Sequence, residues 1–445
     1  MALLQKFSSF NKAAKRRIFD HRVIISHSPK SLFFTCIIFS SISVFIFLDS
    51  ILSNILLHSS HSKNIDFFTT RKTNNKAKQT FDIDRTTLLL STQDKVDNDL
   101  VVESELEETN DPLVPPEHVS RQERIAWFRR KLPELHILNS NSLSKQFHRR
   151  VLEFLSGGCS VQFYMVWLFP AKSFGKRNLL SVESLFKAHR QGCLIILSNS
   201  LDSNRGYRIL KPLLDWGFRI LTVSPDLPFL VNNTPAEAWL KELKSGTKDP
   251  GAIPLSQNLS NLMRLTILYK YGGIYIDSDI IVLRDFSKLR NVVGAQSIDA
   301  VSKQWTRLNG AVMVFDIYHP LLLDFLAEFA LTFDGNIWGF NGPYLLSRVI
   351  TRIIRSKSNG YHDFNFTIFP PKAFYPVHWH RIERVLKKPK NETELRWVEQ
   401  MVSELNGRDT YAIHLWMKRS GDCKIEEGSV VARLILDHCL ICNNL

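Results

Sequence analysis

Between residues 161 and 283 short apolar runs alternate with helical segments, and that alternation restricts the fold more than any other feature of the chain. VQFYMVWL (161–168), CLIILS (193–198) and FRILTVS (218–224) are β-rich and almost continuously apolar, the pattern of strands buried on both faces. Between them, SVESLFKAH (181–189) sets Val182, Leu185 and Phe186 on one helical face, and YRILKPLLDWG (207–217) closes on Gly217. Strand, helix, strand, helix, strand predicts an α/β fold with a mainly parallel central sheet. TPAEAWLKEL (234–243) reads as a helix with Thr234 as N-cap and Pro235 at its first position. SQNLSNLMRLTILYKY (256–271) is another, ended by Gly272 or Gly273. IYIDSDIIVL (274–283) is then the fourth strand, and ligands of such sheets lie beyond the carboxyl ends of the strands.

That fourth strand carries Asp277 and Asp279. Alternation puts Tyr275, Asp277 and Asp279 on one face, with the carboxylates about 7 Å apart along the strand. Two like charges there repel, and a hard divalent cation held by oxygens, which also binds phosphate, resolves the conflict. The competing reading is a solvated pair at a strand end. If helix and strand pack antiparallel about Gly272, Asn261 and Arg264 come level with the two aspartates. Asn261 and Arg264 share a helix face, and a guanidinium in so apolar a helix needs an anionic or hydroxyl partner. A plain structural salt bridge from Arg264 to one aspartate is the alternative. In YAIHLWM (411–417), His414 and Trp416 share a face opposite Ile413 and Leu415. His414 is thus either a third metal ligand or a hydrogen-bonded core histidine. WGFNGP (338–343) is a Gly- and Pro-punctuated loop whose Trp338 and Asn341 suit a sugar, or else a rigid turn packing Trp338 into the core. Asn309, ahead of the buried run AVMVF, is a candidate amide for a donor.

The flanks have a different character. Residues 1–30 carry Lys6, Lys12, Lys15, Arg16, Arg17, Arg22 and Lys30 against Asp20 alone, part of a net charge of +14. From 32 to 48 no residue is charged, and about 17 residues span ~26 Å, close to a bilayer core. ILSNILL (51–57) extends the apolar stretch. We expect a basic cytosolic tail (1–30), a transmembrane signal anchor (31–57) and a lumenal remainder. A cleaved signal peptide is the alternative, disfavoured by the long basic region and the lack of an A-x-A site. Residues 58–155 are polar and weakly periodic and read as a disordered stem, with RQERIAWFRRKL (121–132) as one amphipathic helix within it. Residues 156–445 remain for a single catalytic domain. Cys159, Cys193, Cys423, Cys439 and Cys442 follow the span, and the C-x-x-C at 439–442 suggests a disulfide or a structural thiol. Sequons begin at Asn232, Asn258, Asn365 and Asn391. The basic balance raises nucleic acid as a partner, but no zinc-finger spacing, RNP-like motif or phosphate-binding Gly-rich loop is present.

The run from Arg264 to Asp279, R-x-x-x-L-Y-K-Y-G-G-I-Y-I-D-S-D, resembles the D-x-D signature of GT-A-type sugar-nucleotide glycosyltransferases. It most resembles the α-1,4-glycosyltransferase-like proteins related to globotriaosylceramide synthase, especially their plant homologues. The resemblance continues through NTPAEAW (233–239), LNGAVMVFD (308–316), NIWGFNGPYLLSRV (336–349) and YAIHLWMKRS (411–420), covering roughly 159–442.

It implies a type II Golgi membrane protein with a lumenal, GT-A-type catalytic domain. It further implies Mn²⁺ or another divalent cation, a UDP-sugar donor, a glycan or glycolipid acceptor, and hexose transfer with retention to an α-linkage. Asp277, Asp279 and His414 would hold the metal. Asn261, Arg264, Tyr275, Asp277, Trp338 and Gly342 would contact the donor, and Asp277, Asp279, Asn309 and Asn341 would serve the chemistry. The chain departs from the wider family's usual Asp at Asn261, His at Phe340 and Asn at Met417. Those departures keep a second reading in view, a catalytically silent Golgi scaffold or glycan-binding relative.

Overall fold

The computed structural model describes residues 113–356 and 365–441. The expected tail, anchor and first part of the stem lie outside the described residues. Among the described residues no helix is long and apolar enough to cross a membrane.

The alternating region folds as its pattern predicts. Strands β1 (Gln162–Val166), β2 (Cys193–Leu197), β3 (Arg219–Val223) and β4 (Gly273–Ile276) are mutually parallel in the order β3-β2-β1-β4. β6 (Val292–Ile298), β7 (Trp305–Phe315) and β8 (Thr367–Phe369) complete the seven-stranded sheet as β4-β7-β6-β8. β7 runs antiparallel to both neighbours, and β8 is parallel to β6. Alternation along β1 sends Tyr164 and Val166 to one face and Phe163 and Met165 to the other, so each face has its own core. The helices Leu255–Tyr271, Pro320–Thr332 and Pro343–Ser356 contribute to the first core, and Lys176–Ala188 and Asn204–Asp215 to the second. A disulfide joins Cys159 to Cys193 ahead of β1 and at the start of β2.

Two expectations change. The run 274–283 is not one strand. β4 stops at Ile276, and the chain turns through Asp277–Asp279 into β5 (Ile280–Val282), which leaves the main sheet. β5 pairs antiparallel with β9 (Ala412–His414) in a separate two-stranded sheet. The stem also ends earlier than expected. Ser120 caps the helix Arg121–Lys131 with a full capping box to Glu123, and the helix Phe147–Ser156 follows. Phe128, Leu138, Phe147 and Val151 from this stretch are all buried in the first core. Their apolar side chains are too widely spaced to show periodicity, yet together they join the core on one face of the sheet.

Arg124 fastens this segment. Its Nε and Nη2 donate to the two Asp249 carboxylate oxygens at 2.8 and 2.7 Å, and Nη2 also donates to Asn336 Oδ1 at 2.8 Å. Arg124→Ala leaves the Asp249 carboxylate with only Arg121 at 3.5 Å and the Gly251 N–H at 2.9 Å, and we expect a loss of about 2 kcal/mol in thermal or denaturant unfolding. Burial pushes the Asp249 carboxyl up, but Arg124, with the Gly251 N–H and Asn336, outweighs it and holds it below the ordinary value. That contribution is therefore full above the unfolded Asp pKa of about 4 and is lost as pH falls through the lower folded value. The Tm gap between wild type and variant should be constant near neutrality and close in acid; a gap that widens in acid contradicts the assignment.

Candidate active site

The strand break builds the site. Asp277 still pairs into the main sheet, its N–H donating to Ala311 O at 2.8 Å. Tyr275 precedes it on the same face and donates its hydroxyl to Asp277 Oδ1 at 2.7 Å. Asp279, past the turn, belongs to the second sheet. The β5/β9 register sets Ile280 opposite His414, and Leu415 N–H donates to Asp279 O at 2.9 Å, extending that ladder. The register thus fixes His414 beside Asp279, with Nε2 3.1 Å from Oδ1. Helix Lys176–Ala188 holds the turn from behind. Asn178 Nδ2 donates to Ser278 O at 3.1 Å, Ser181 Oγ to Ile280 O at 2.5 Å, and Ser184 Oγ accepts from Val282 N–H at 2.9 Å.

Asp277, Asp279 and His414 each bring a ligand atom to within 4.8 Å of the other two. Two carboxylates and an imidazole form a donor set for a divalent transition metal. The pair converges through the turn rather than along a strand face, which corrects the expected 7 Å spacing. His414 Nδ1 is buried without a hydrogen-bond partner, so among the described residues the ring makes its polar contact on the Asp279 side.

The two carboxylates differ electrostatically. Burial pushes Asp277 up; Arg264 opposes this, the Asp279 charge adds to it, and the result lies above the ordinary carboxylate value. Burial also pushes Asp279 up, but His414 and the Met417 N–H, which donates to Oδ2 at 2.8 Å, hold it below. Met417 thus serves through its backbone, so its departure from the family's usual Asn does not touch this bond. The N–H is aimed by Trp416, which sits in the left-handed region at φ 52°. Such a backbone costs about 1–3 kcal/mol. It is held by Trp416 Nε1 donating to Val377 O at 2.8 Å and by ring contact with His414 at 4.0 Å.

Arg264 is buried from the helix Leu255–Tyr271. It pairs through Nη2 with Asp277 Oδ1 at 3.1 Å, donates from Nη1 to Gly310 O at 2.8 Å, and lies 4.6 Å from the Tyr275 ring centroid. The expected levelling of helix and strand holds, and so does the salt bridge. Asn261 is buried one turn earlier, pressed against Gly342. A Cβ on Gly342 would fall 2.8 Å from Asn261 Oδ1, so any side chain there displaces Asn261.

Asn309 and Asn341 make internal bonds. Asn309 donates to Gln296 Oε1 at 3.0 Å and accepts from Ala311 N–H at 2.8 Å, closing the irregular β6/β7 register. Asn341 donates to Asn258 Oδ1 and to Asp334 O, tying the 334–342 loop to the long helix. Asn258 itself is buried, which removes that sequon from the surface. Trp338 is 45% exposed and carries Lys418 Nζ 2.9 Å from its ring centroid, so the core-turn reading of this loop is overturned. Phe340 lies beneath the Arg348 guanidinium at 4.1 Å. Sequence reasoning missed Tyr375, whose buried hydroxyl accepts from Val312 N–H at 3.2 Å and donates to Asn309 O at 3.3 Å. It also missed Asn178, Ser181 and Ser184. No local pattern marks them, because their partners are about 60 to 100 residues away.

Comparison with known proteins agrees with this geometry. The glycosyltransferase sugar-binding region containing a DXD motif matches residues 175–298, and the alpha 1,4-glycosyltransferase conserved region matches 314–445. Mouse lactosylceramide 4-alpha-galactosyltransferase is 33% identical over 270 residues, 59% of this chain and 69% of that protein. An uncharacterised Arabidopsis thaliana protein is 30% identical over 291 residues, but the chain spans only 43% of its length. Human alpha-1,4-N-acetylglucosaminyltransferase is 26% identical, over 48% of this chain and 58% of that one. The first matched region carries Asp277 and Asp279, the second carries His414, and the mouse protein is covered over more than two thirds of its length: the chain belongs to the α-1,4-glycosyltransferase family.

Proposed function

We propose that the chain is a metal-dependent glycosyltransferase that moves a hexose from a UDP-sugar to a glycan or glycolipid acceptor, with retention and an α-linkage. The observation that carries this reading is the convergence of Asp277, Asp279 and His414. These three residues would hold Mn²⁺ or a similar cation. When bound, the ion supplies Lewis-acid stabilisation of the charge that develops on the leaving diphosphate. Arg264 neutralises Asp277 and fixes its orientation. Asp279 is kept ionised by the His414 ring and the Met417 N–H. Asn341 ties the loop that carries Trp338 to the long helix, Gly342 leaves room for Asn261, and Asn309 closes the β6/β7 register beside Gly310. We place the folded region in the Golgi lumen, anchored through residues 31–57; the Cys159–Cys193 disulfide supports an oxidising compartment.

The test is UDP release from UDP-galactose, UDP-glucose and UDP-N-acetylglucosamine with and without Mn²⁺. Mn²⁺-dependent release from one of the three, with an α-anomeric product by NMR, is the expected result. Folded protein that releases UDP from none of them sinks the enzymatic reading.

A further inference from the structure

A cationic groove leads away from this centre. An open cavity of about 500 Å³ runs along the helix Pro343–Ser356 and is lined by Tyr344, Arg348, Arg352 and Arg355 among others. It starts next to the site. A Cβ on Gly339, the residue after Trp338, would lie 3.4 Å from the Tyr344 ring. On β7, Leu308 N–H donates to Ser347 Oγ at 2.9 Å, two residues from the Gly310 carbonyl that holds Arg264.

The charges along this path are unequal. Arg307, at the near end, stacks over the Tyr344 ring at 4.1 Å, and no carboxylate pairs with it among the described residues. An arginine laid on an aromatic face keeps its full charge and a preset orientation. Further along, Arg348 Nε and Arg352 Nη1 share the single carboxylate of Glu328 at 2.8 and 2.9 Å. Arg348 also donates from Nη1 to Phe340 O and from Nη2 to Thr332 Oγ1, so its fork is taken up within the fold and Arg352 is the one left to face a ligand. Half-buried Asp324 is the other acid facing Arg352. His378 lies near Arg307, and burial together with the His380, Arg381 and Arg307 charges holds its imidazole below the ordinary value, so it adds no charge to the groove. Beside the hydroxyls of Ser347, Thr351 and Ser356, which suit a sugar, the groove presents guanidinium groups, whose forks match carboxylates.

We propose that the groove is an acceptor subsite for an acidic glycan, a chain bearing carboxylate groups. Its growing end lies at Asp277, Asp279 and His414, and its acidic groups lie against Arg307 and Arg352. The proposal rests on the glycosyltransferase reading for what happens at that end, but the binding it requires is separable from turnover.

The probes are a galacturonic acid hexamer, its fully methyl-esterified form, a sulfated neutral hexamer and phosphatidylserine vesicles, titrated onto the folded protein. The expected result is salt-sensitive binding of the acid hexamer at least tenfold tighter than of the other three. Arg307→Gln with Arg352→Gln should weaken it at least tenfold, and the Lys versions of both, which keep the charge but not the fork, should restore only part of the loss. Acceptor-free UDP release should be unchanged in these variants. Equal binding of ester and acid, tighter binding of the sulfated chain, preference for vesicles, or an unaltered affinity in the Gln variant each overturns the proposal. If wild type binds the acid hexamer but releases no UDP from any donor, the enzymatic reading fails and the subsite stands.

Discussion

Asp279→Asn should reduce glycosyl transfer by at least about 10³-fold while moving Tm by no more than about 4 °C. The two effects separate for a physical reason. Asparagine keeps an acceptor for the Met417 N–H, now made to Asp279 Oδ2 at 2.8 Å, so the second sheet keeps its tether. The substitution also removes one of two like charges beside a buried centre, which offsets part of the attraction lost to His414. What it cannot keep is an anionic ligand oxygen, and a metal's contribution of several kcal/mol to the transition state is worth roughly three decades in rate. Near-normal turnover with UDP-sugar would show that Asp279 is a structural partner of His414 and nothing more.

Arg264→Leu should be the more damaging change to the fold. The guanidinium is the main countercharge to Asp277 and also satisfies Gly310 O in the centre of β7. Removing it strands a carboxylate and a carbonyl between the long helix and the sheet, at an expected cost of about 3–5 kcal/mol and roughly 5–10 °C in Tm. Activity should vanish with it, because without the guanidinium the Asp277 carboxyl loses its positioning partner and is pushed further above its ordinary value. Arg264→Lys should fall between, since an ammonium keeps the charge but not the fork that spans both acceptors. A Leu variant as stable as wild type would mean that Asp277 does not depend on this pairing.

These expectations draw on what local sequence could and could not disclose. β1 to β4 were legible because strands covered on both faces are apolar throughout and their helices keep a 3.6-residue period. The association of Arg264 with Asp277 was legible too, from the position of Gly272 between helix and strand. The break at Asp277 was not. Ile280, Ile281 and Val282 are as β-prone as the residues before them, and only the partner strand Ala412–His414, some 130 residues later, draws them into another sheet. That non-local pairing also sets how Asp277, Asp279 and His414 converge, so the three residues singled out in the sequence do come together, but not with the spacing expected between the two aspartates. Asn309 and Asn341 show the converse limit. An asparagine beside a glycine signals an amide with a task, but whether its partner is a ligand or the protein's own backbone depends on contacts that sequence does not display. The stem boundary was misplaced for a similar reason. Phe128, Leu138, Phe147 and Val151 become core only once the sheet they cover exists.

The most direct test of the account is Mn²⁺ binding followed by electron paramagnetic resonance, with and without UDP, in wild type, Asp279→Asn and His414→Ala. The account predicts one Mn²⁺ per folded wild-type chain, bound more tightly when UDP is present, and affinity reduced at least tenfold in both variants. Mn²⁺ affinity that is indifferent to UDP, or equal in all three proteins, would contradict it.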